Sequence, residues 1–213
     1  MPCATRVTVA AIGTLVAYAG IEHGIGEIRQ GFGAPDSIAF ESWPDTRGFE
    51  ALGGEPAMSV IPSLALTGLL AIVVSLAVAI WSLRFVQRRH GGSVLVGLSL
   101  LLLLVGGGFG PPLIGVLAGV TATRMTHGPR PGPGVPTRVL ARAWPWSLVT
   151  CLLAYLALVP GVVLLTAFTD FEHAAAVSAL IAFAFSTLLL ALVSARATDR
   201  LRAAPAPRPP APP

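Results

Sequence analysis

The chain has 213 residues, of which 54% are hydrophobic and only 11% charged, with a net charge of +4 and a mean hydropathy of +0.77. A soluble domain carries roughly a quarter charged residues, so this composition excludes an ordinary water-soluble globule and marks a polytopic membrane protein. The positive balance does not imply nucleic acid as a partner. All 14 basic residues are Arg, none is Lys, and they lie between hydrophobic runs, where membrane topology accounts for them.

The first apolar run follows Arg6 and reads "VTVAAIGTLVAYAGIEHGIGEI", a span over about 7–28 by the ~20-residue requirement. Arg6 and "AYAG" also have the form of a secretory signal cut after Ala19, which would remove this anchor and leave the later spans as they are. At the end of the run His23, Glu27 and Gln30 fall at i, i+4 and i+7, so a continuing helix lines them along one face. Residues 31–58 are interrupted by Gly, Pro and acids and read as a loop. A second span covers 59–83, with Pro62 in its first turn, where proline is tolerated.

Residues 93–123 contain "LLLLVGGGFGPPLIG" and pose a choice. As one straight helix they would be about 46 Å long, against a hydrocarbon core of about 30 Å. Glycine costs about 1 kcal/mol and proline about 3 kcal/mol in a helix interior. Two half-length helices, 93–105 and 113–123, therefore flank a break at Gly106, Gly107, Gly108, Gly110, Pro111 and Pro112. Beyond it come a Gly/Pro/Arg linker at 125–144, a fourth span at 145–168 broken by Pro160-Gly161, and a fifth at 174–195. The tail from Arg196 is Pro/Ala/Arg-rich and predicts a disordered or polyproline-like extension. The domain reading is thus a membrane module over 1–124, the linker, a C-terminal helix pair over 145–195, and the tail over 196–213. Cys3 and Cys151 lack metal-ligand spacing and read as unpaired thiols.

Charge separates a returning hairpin from a single crossing. With a hairpin, the N- and C-termini cytoplasmic and the 29–58 loop outside, 12 of the 14 arginines face the cytoplasm and nine of the ten acids face out, as the positive-inside rule prefers for arginine. A single crossing strands Arg84, Arg88 and Arg89 outside, beside a span. The fold expected is therefore all-α, a polytopic helix bundle with four full spans plus a broken or re-entrant hairpin, in a bacterial plasma membrane. The glycine-proline turn must then be buried in protein or face water, because lipid satisfies no backbone group. It reads either as a pore lining or as a packing break, with Gly115 and Gly119 as a small-xxx-small pair.

On the outer side the same topology brings "TDFEH", with Asp170, Glu172 and His173, toward His23, Glu27 and Gln30. Two His and several carboxylates on one face suit a divalent metal or a proton relay. They equally suit ordinary interfacial capping. Trp81, Trp144 and Trp146 near span ends read as aromatic-belt anchors.

The elements "HGIGEIRQG", "VQRRHGG" and "LLLLVGGGFGPPLIG" resemble a family of uncharacterised prokaryotic integral membrane proteins with HG-x-x-E-x-x-QG and LLLLVGGG-x-x-PP-x-IG elements. The resemblance covers about residues 17–124, and the family's Lys in the turn is Arg89 here. It implies that the His/Glu/Gln helix, the turn and the glycine-proline break form one module, and it implies no activity, cofactor or partner. Three functions follow from the residues. The leading one is a non-enzymatic membrane protein that packs with itself or a membrane partner. The second is a transport or channel component lined by residues 106–112. The third is a membrane enzyme with an outer His/carboxylate site and an unknown metal or cofactor. Motifs such as H-E-x-x-H, G-x-S-x-G and the Walker loop are absent from the sequence.

Overall fold

A computed structural model describes residues 3–125, 135–169 and 174–203. Helix α1 runs Ala4–Gln30, α2 Leu64–Arg84, α3 Gly91–Leu104, α4 Gly110–Thr123 and α5 Val135–Leu156. A π-turn at Ala157–Gly161 joins α5 to α6, Val162–Phe168, and α7 runs Ala174–Arg202. Between α1 and α2 lie two three-residue strands, β1 Ala39–Glu41 and β2 Pro56–Met58, around a 3-10 helix at Arg47–Leu52. Among the described residues four helical stretches are long and apolar enough to cross a membrane: Ala4–Gln30, Leu64–Arg84, Thr137–Phe168 and Ala174–Arg202. The all-α bundle with a broken hairpin is the architecture found.

Small residues set the central helix pair. Gly13, Gly20 and Gly24 of α1 face Ser82, Ser75 and Gly68 of α2, so closely that a Cβ on any of these glycines would lie 2.1–2.6 Å from the opposite atoms. The order of the partners runs backward along α2, so the pair is antiparallel, and small side chains let the backbones approach as membrane helices favour. Val9, Ile12, Val16, Ala71, Val74 and Val78 fill the buried side of this seam.

The hairpin folds back as the composition requires. Gly92 at the start of α3 lies against Thr123 and Gly119 of α4, and Gly115 lies against Ser99. At 14 residues each, α3 and α4 are about 21 Å long and shorter than a full crossing. The turn is not left to lipid. Gly106 N donates to Met58 O at 2.9 Å, Val60 N to Leu104 O at 3.3 Å, and Gly107 N to Leu102 O at 2.8 Å. Residues 105–108 are all buried.

Several boundaries differ from the sequence reading. Helix α1 extends two or three residues at each end and runs unbroken through Ala19–Gly20. Its start is capped from afar, with Asp199 of α7 accepting from Ala4 N at 2.7 Å, Thr5 N at 2.9 Å and Cys3 Sγ at 2.7 Å. Burial and the neighbouring Asp199 carboxylate raise the Cys3 thiol above its ordinary pKa. The linker expected over 125–144 is helical from Val135. Helix α7 continues to Arg202, past the expected end at 195. The Thr198 hydroxyl donates to Ala141 O at 3.1 Å, and Ser147 shares a 2.8 Å hydrogen bond with Ser194, so α5 and α7 stay paired beyond their apolar centres. The loop read over 31–58 contains a short β-hairpin, since three-residue strands are too brief to show alternation.

These contacts sort the charges by end. The end holding the starts of α1, α3 and α5 and the finishes of α2, α4 and α7 carries Arg6, Arg84, Arg88, Arg89, Arg124, Arg138, Arg142, Arg196, Arg200 and Arg202. The opposite end carries Arg29 and Arg47 with Glu22, Glu27, Asp36, Glu41, Asp45, Glu50 and Glu55. Trp81 and Trp144 both lie at the arginine end. Trp81 Nε1 donates to Gly91 O and Trp144 Nε1 to Thr8 Oγ1, while Trp146 is 75% exposed.

Candidate functional site

The acidic end is closed by the loop between α1 and α2. Trp43 stacks on Phe49 with ring centroids 4.5 Å apart, and the Arg29 guanidinium lies 5.4 Å over the Trp43 ring. Thr166 of α6 donates to Gly48 O, which ties the loop to the C-terminal helices. Gln30 Nε2 donates to Glu41 O at 3.1 Å and Ser42 O at 2.9 Å, so this predicted site residue serves as a clamp on the loop backbone. Gly26 leaves room for the loop: a Cβ there would lie 2.3 Å from Ser42 O.

Under this cap α1 presents three ionisable side chains. His23 and Glu27 share a face by their four-residue spacing, and Glu22 stands beside them. The loop supplies Ser42 and Glu55. His23 Nε2 lies 3.0 Å from Glu55 Oε2, and His23 Nδ1 lies 3.2 Å from Ser42 Oγ. Ser42 Oγ donates to Glu27 Oε1 at 3.3 Å. His23 is 3% exposed and Glu27 and Ser42 are fully buried. One ligand atom from each of Glu22, His23 and Glu55 lies within 4.8 Å of the others, which is the only metal-capable trio of this kind among the described residues.

Two features make the cluster unusual. No hydrogen bond of regular geometry reaches either carboxylate oxygen of Glu22, Glu27 Oε2 or Trp43 Nε1, although the Glu22 carboxyl lies against Trp43 and Glu55; buried polar groups are ordinarily paired. Glu55 also has a left-handed backbone, with φ 54°, directly after Gly53 and Gly54 at φ 64° and 67°. A non-glycine residue held there costs roughly 1–2 kcal/mol and persists only where its surroundings over-determine it. Here Ser42 N and Trp43 N donate to Glu55 O and Gly54 O and hold it in place.

The hairpin tip forms the inner wall. Gly106 and Gly108 have φ of +92° and +75°. A Cβ on Gly106 would lie 2.4–2.5 Å from the two Glu27 oxygens, and one on Gly108 would lie 2.1 Å from His23 Nε2. Gly107 packs on Leu102, and Pro111 and Pro112 are buried in the first turn of α4 after Gly110, which has open space beside it. Of the six residues of the break, Gly106 and Gly108 are therefore the wall against the polar cluster. A cleft of about 550 Å³ opens instead on the loop, lined by Gln30, Pro35, Asp36, Phe40, Glu41 and Leu64 among others, and none of residues 106–112 lines it.

The predicted pair His23 and Glu27 is thus brought together, with Gln30 one turn away. Asp170, Glu172 and His173, the other half of the predicted cluster, lie outside the described residues. Glu22, Ser42 and Glu55 were missed by the sequence reading. No periodicity links residues 42 and 55 to helix α1, and only the scarcity of acids, ten in 213 residues, hints that each is placed for a reason. No family model, no curated protein and no solved structure matches this chain.

Proposed function

We propose that the chain is a multi-pass protein of a bacterial plasma membrane, with its arginine end and termini cytoplasmic, which binds a small cation in the enclosed centre at its outer end. The observation that carries this reading is the set of orphaned oxygens of Glu22 and Glu27 beside His23 and Glu55. Burying a carboxyl group without a hydrogen-bond partner costs a few kcal/mol even in its neutral form, and ionisable groups at membrane depth mark functional sites. A protein that only packs against neighbours has no use for that cost. A channel through the break is disfavoured because the tip glycines sit directly against side chains. The near-complete burial of His23 and Glu27 fits an ion better than a bulky substrate. Two of the three resembling elements, HGIGEIRQG and the glycine-proline break, meet at the centre, while the VQRRHGG turn lies at the opposite end.

The test is thermal unfolding of the detergent-purified protein, stripped with a chelator and then titrated with mono- and divalent cations. At least one cation raises the Tm with its concentration, as selective binding to the folded state requires, and the Glu22→Gln/Glu55→Gln double variant loses that response. A Tm indifferent to every cation, or an equal response in the variant, would refute the reading.

A further inference from the structure

We infer that the cation is a divalent transition-metal ion, ligated by His23 Nε2, Glu55 and Glu22, with Ser42 and Glu27 as positioning residues that orient the imidazole; this rests on the cation-binding reading above. The proton inventory supports it. With Glu27 ionised, as a bound cation beside it favours, Ser42 gives its one hydroxyl proton to Glu27 Oε1, so toward His23 it can only accept. His23 therefore carries its proton on Nδ1 and donates it to Ser42. That tautomer leaves the Nε2 lone pair directed at Glu55 Oε2, 3.0 Å away. Two lone pairs face each other there unless a proton or a metal ion lies between them. A histidine that ligates a metal through one nitrogen while its other N–H is held by a hydrogen-bonded carboxylate system is the common arrangement in metal sites. Here Ser42 relays the carboxylate of Glu27 to the ring.

Glu27 supplies a second, independent observation. It is fully buried, and its Oε2 has no partner. Its carboxyl group faces the imidazole through Ser42, and its ionised form is stabilised when the imidazole binds a cation. The donor set then selects the ion. One imidazole nitrogen with two carboxylate oxygens suits zinc, manganese or ferrous iron, whereas calcium and magnesium prefer oxygen alone. No thiol joins the trio, which disfavours cuprous copper. The three ligand atoms span up to 4.8 Å, while tetrahedral ligands near 2.1 Å from zinc stand about 3.4 Å apart. A rotamer change of Glu22 closes that gap of about 1.4 Å.

The experiment uses the full-length protein in detergent, stripped of metal. Zinc and cobalt are titrated in competition with a chromophoric chelator, with magnesium and calcium as controls, and the cobalt form is read by its visible d–d bands. One equivalent of zinc or cobalt binds, His23→Ala and Glu55→Gln lose it, and Ser42→Ala keeps the stoichiometry with affinity down about 10- to 100-fold. X-ray absorption at the zinc edge of the unaltered protein shows one imidazole with oxygen ligands, which keeps the test valid should a variant not fold. Binding of magnesium or calcium alone overturns the transition-metal assignment and leaves the cation reading standing. An unchanged cobalt spectrum in His23→Ala, or an edge spectrum without imidazole, overturns the assignment of ligands. No response to any cation overturns both readings.

Discussion

A methyl group added at Gly108 would sit 2.1 Å from His23 Nε2 and adopt an unfavourable φ of +75°, whereas one added at Gly110 meets nothing within 4 Å. Two glycines two residues apart therefore have opposite tolerance. Gly108→Ala is expected to lower the Tm, with roughly 1–2 kcal/mol from the backbone alone and more from displacing His23. Gly110→Ala is expected to leave the Tm unchanged or slightly raised, because alanine suits a helix start better than glycine. Differential scanning fluorimetry of the two variants checks the pair. In the sequence, the run of glycines announces a break but gives all of its members the same standing; only the fold distinguishes wall residues from bystanders. The same holds for the acids. Glu27 is legible because four residues separate it from His23. Glu55 is 32 positions from His23 and reaches it only because a β-turned loop, invisible to periodicity, lays residues 42 and 55 over α1.

Elements were legible where apolar length alone decides and not where a distant partner does. The spans and the hairpin follow from the bilayer's thickness and from the backbone cost of glycine and proline. The start of α1 and the end of α7 do not, since each is held by long-range hydrogen bonds. Asp199 shows this best, because an acid near the end of α7 caps the first turn of α1, where the helix dipole favours negative charge. Asp199→Ala is expected to destabilise the protein by about 1 kcal/mol, as loss of a helix cap does, and to speed hydrogen exchange at Ala4 and Thr5 while leaving the centre under the loop intact. The break at Pro160 is absorbed differently. The ring that would clash in a regular helix sits in a π-turn, and the helical span continues past it to Phe168.

Among the described residues, all arginines but Arg29 and Arg47 gather at one end and all acids but Asp199 at the other, and the hairpin makes this possible by returning α4 to the end from which α3 left. In a Cys3→Ser/Cys151→Ala background, a cysteine placed at Ala34 is expected to react with an impermeant maleimide in intact cells, and one placed at His90 only after lysis. The reverse pattern would invert the orientation and put the metal centre on the cytoplasmic side.

The inner wall of the centre, residues 106–108, is translated some fifty residues after Glu55 and eighty after His23. The first two spans are therefore made before the wall that closes over Glu27. Neither α3 nor α4 reaches across by itself, so the two are expected to enter as a unit, and that entry is the moment at which the pocket seals.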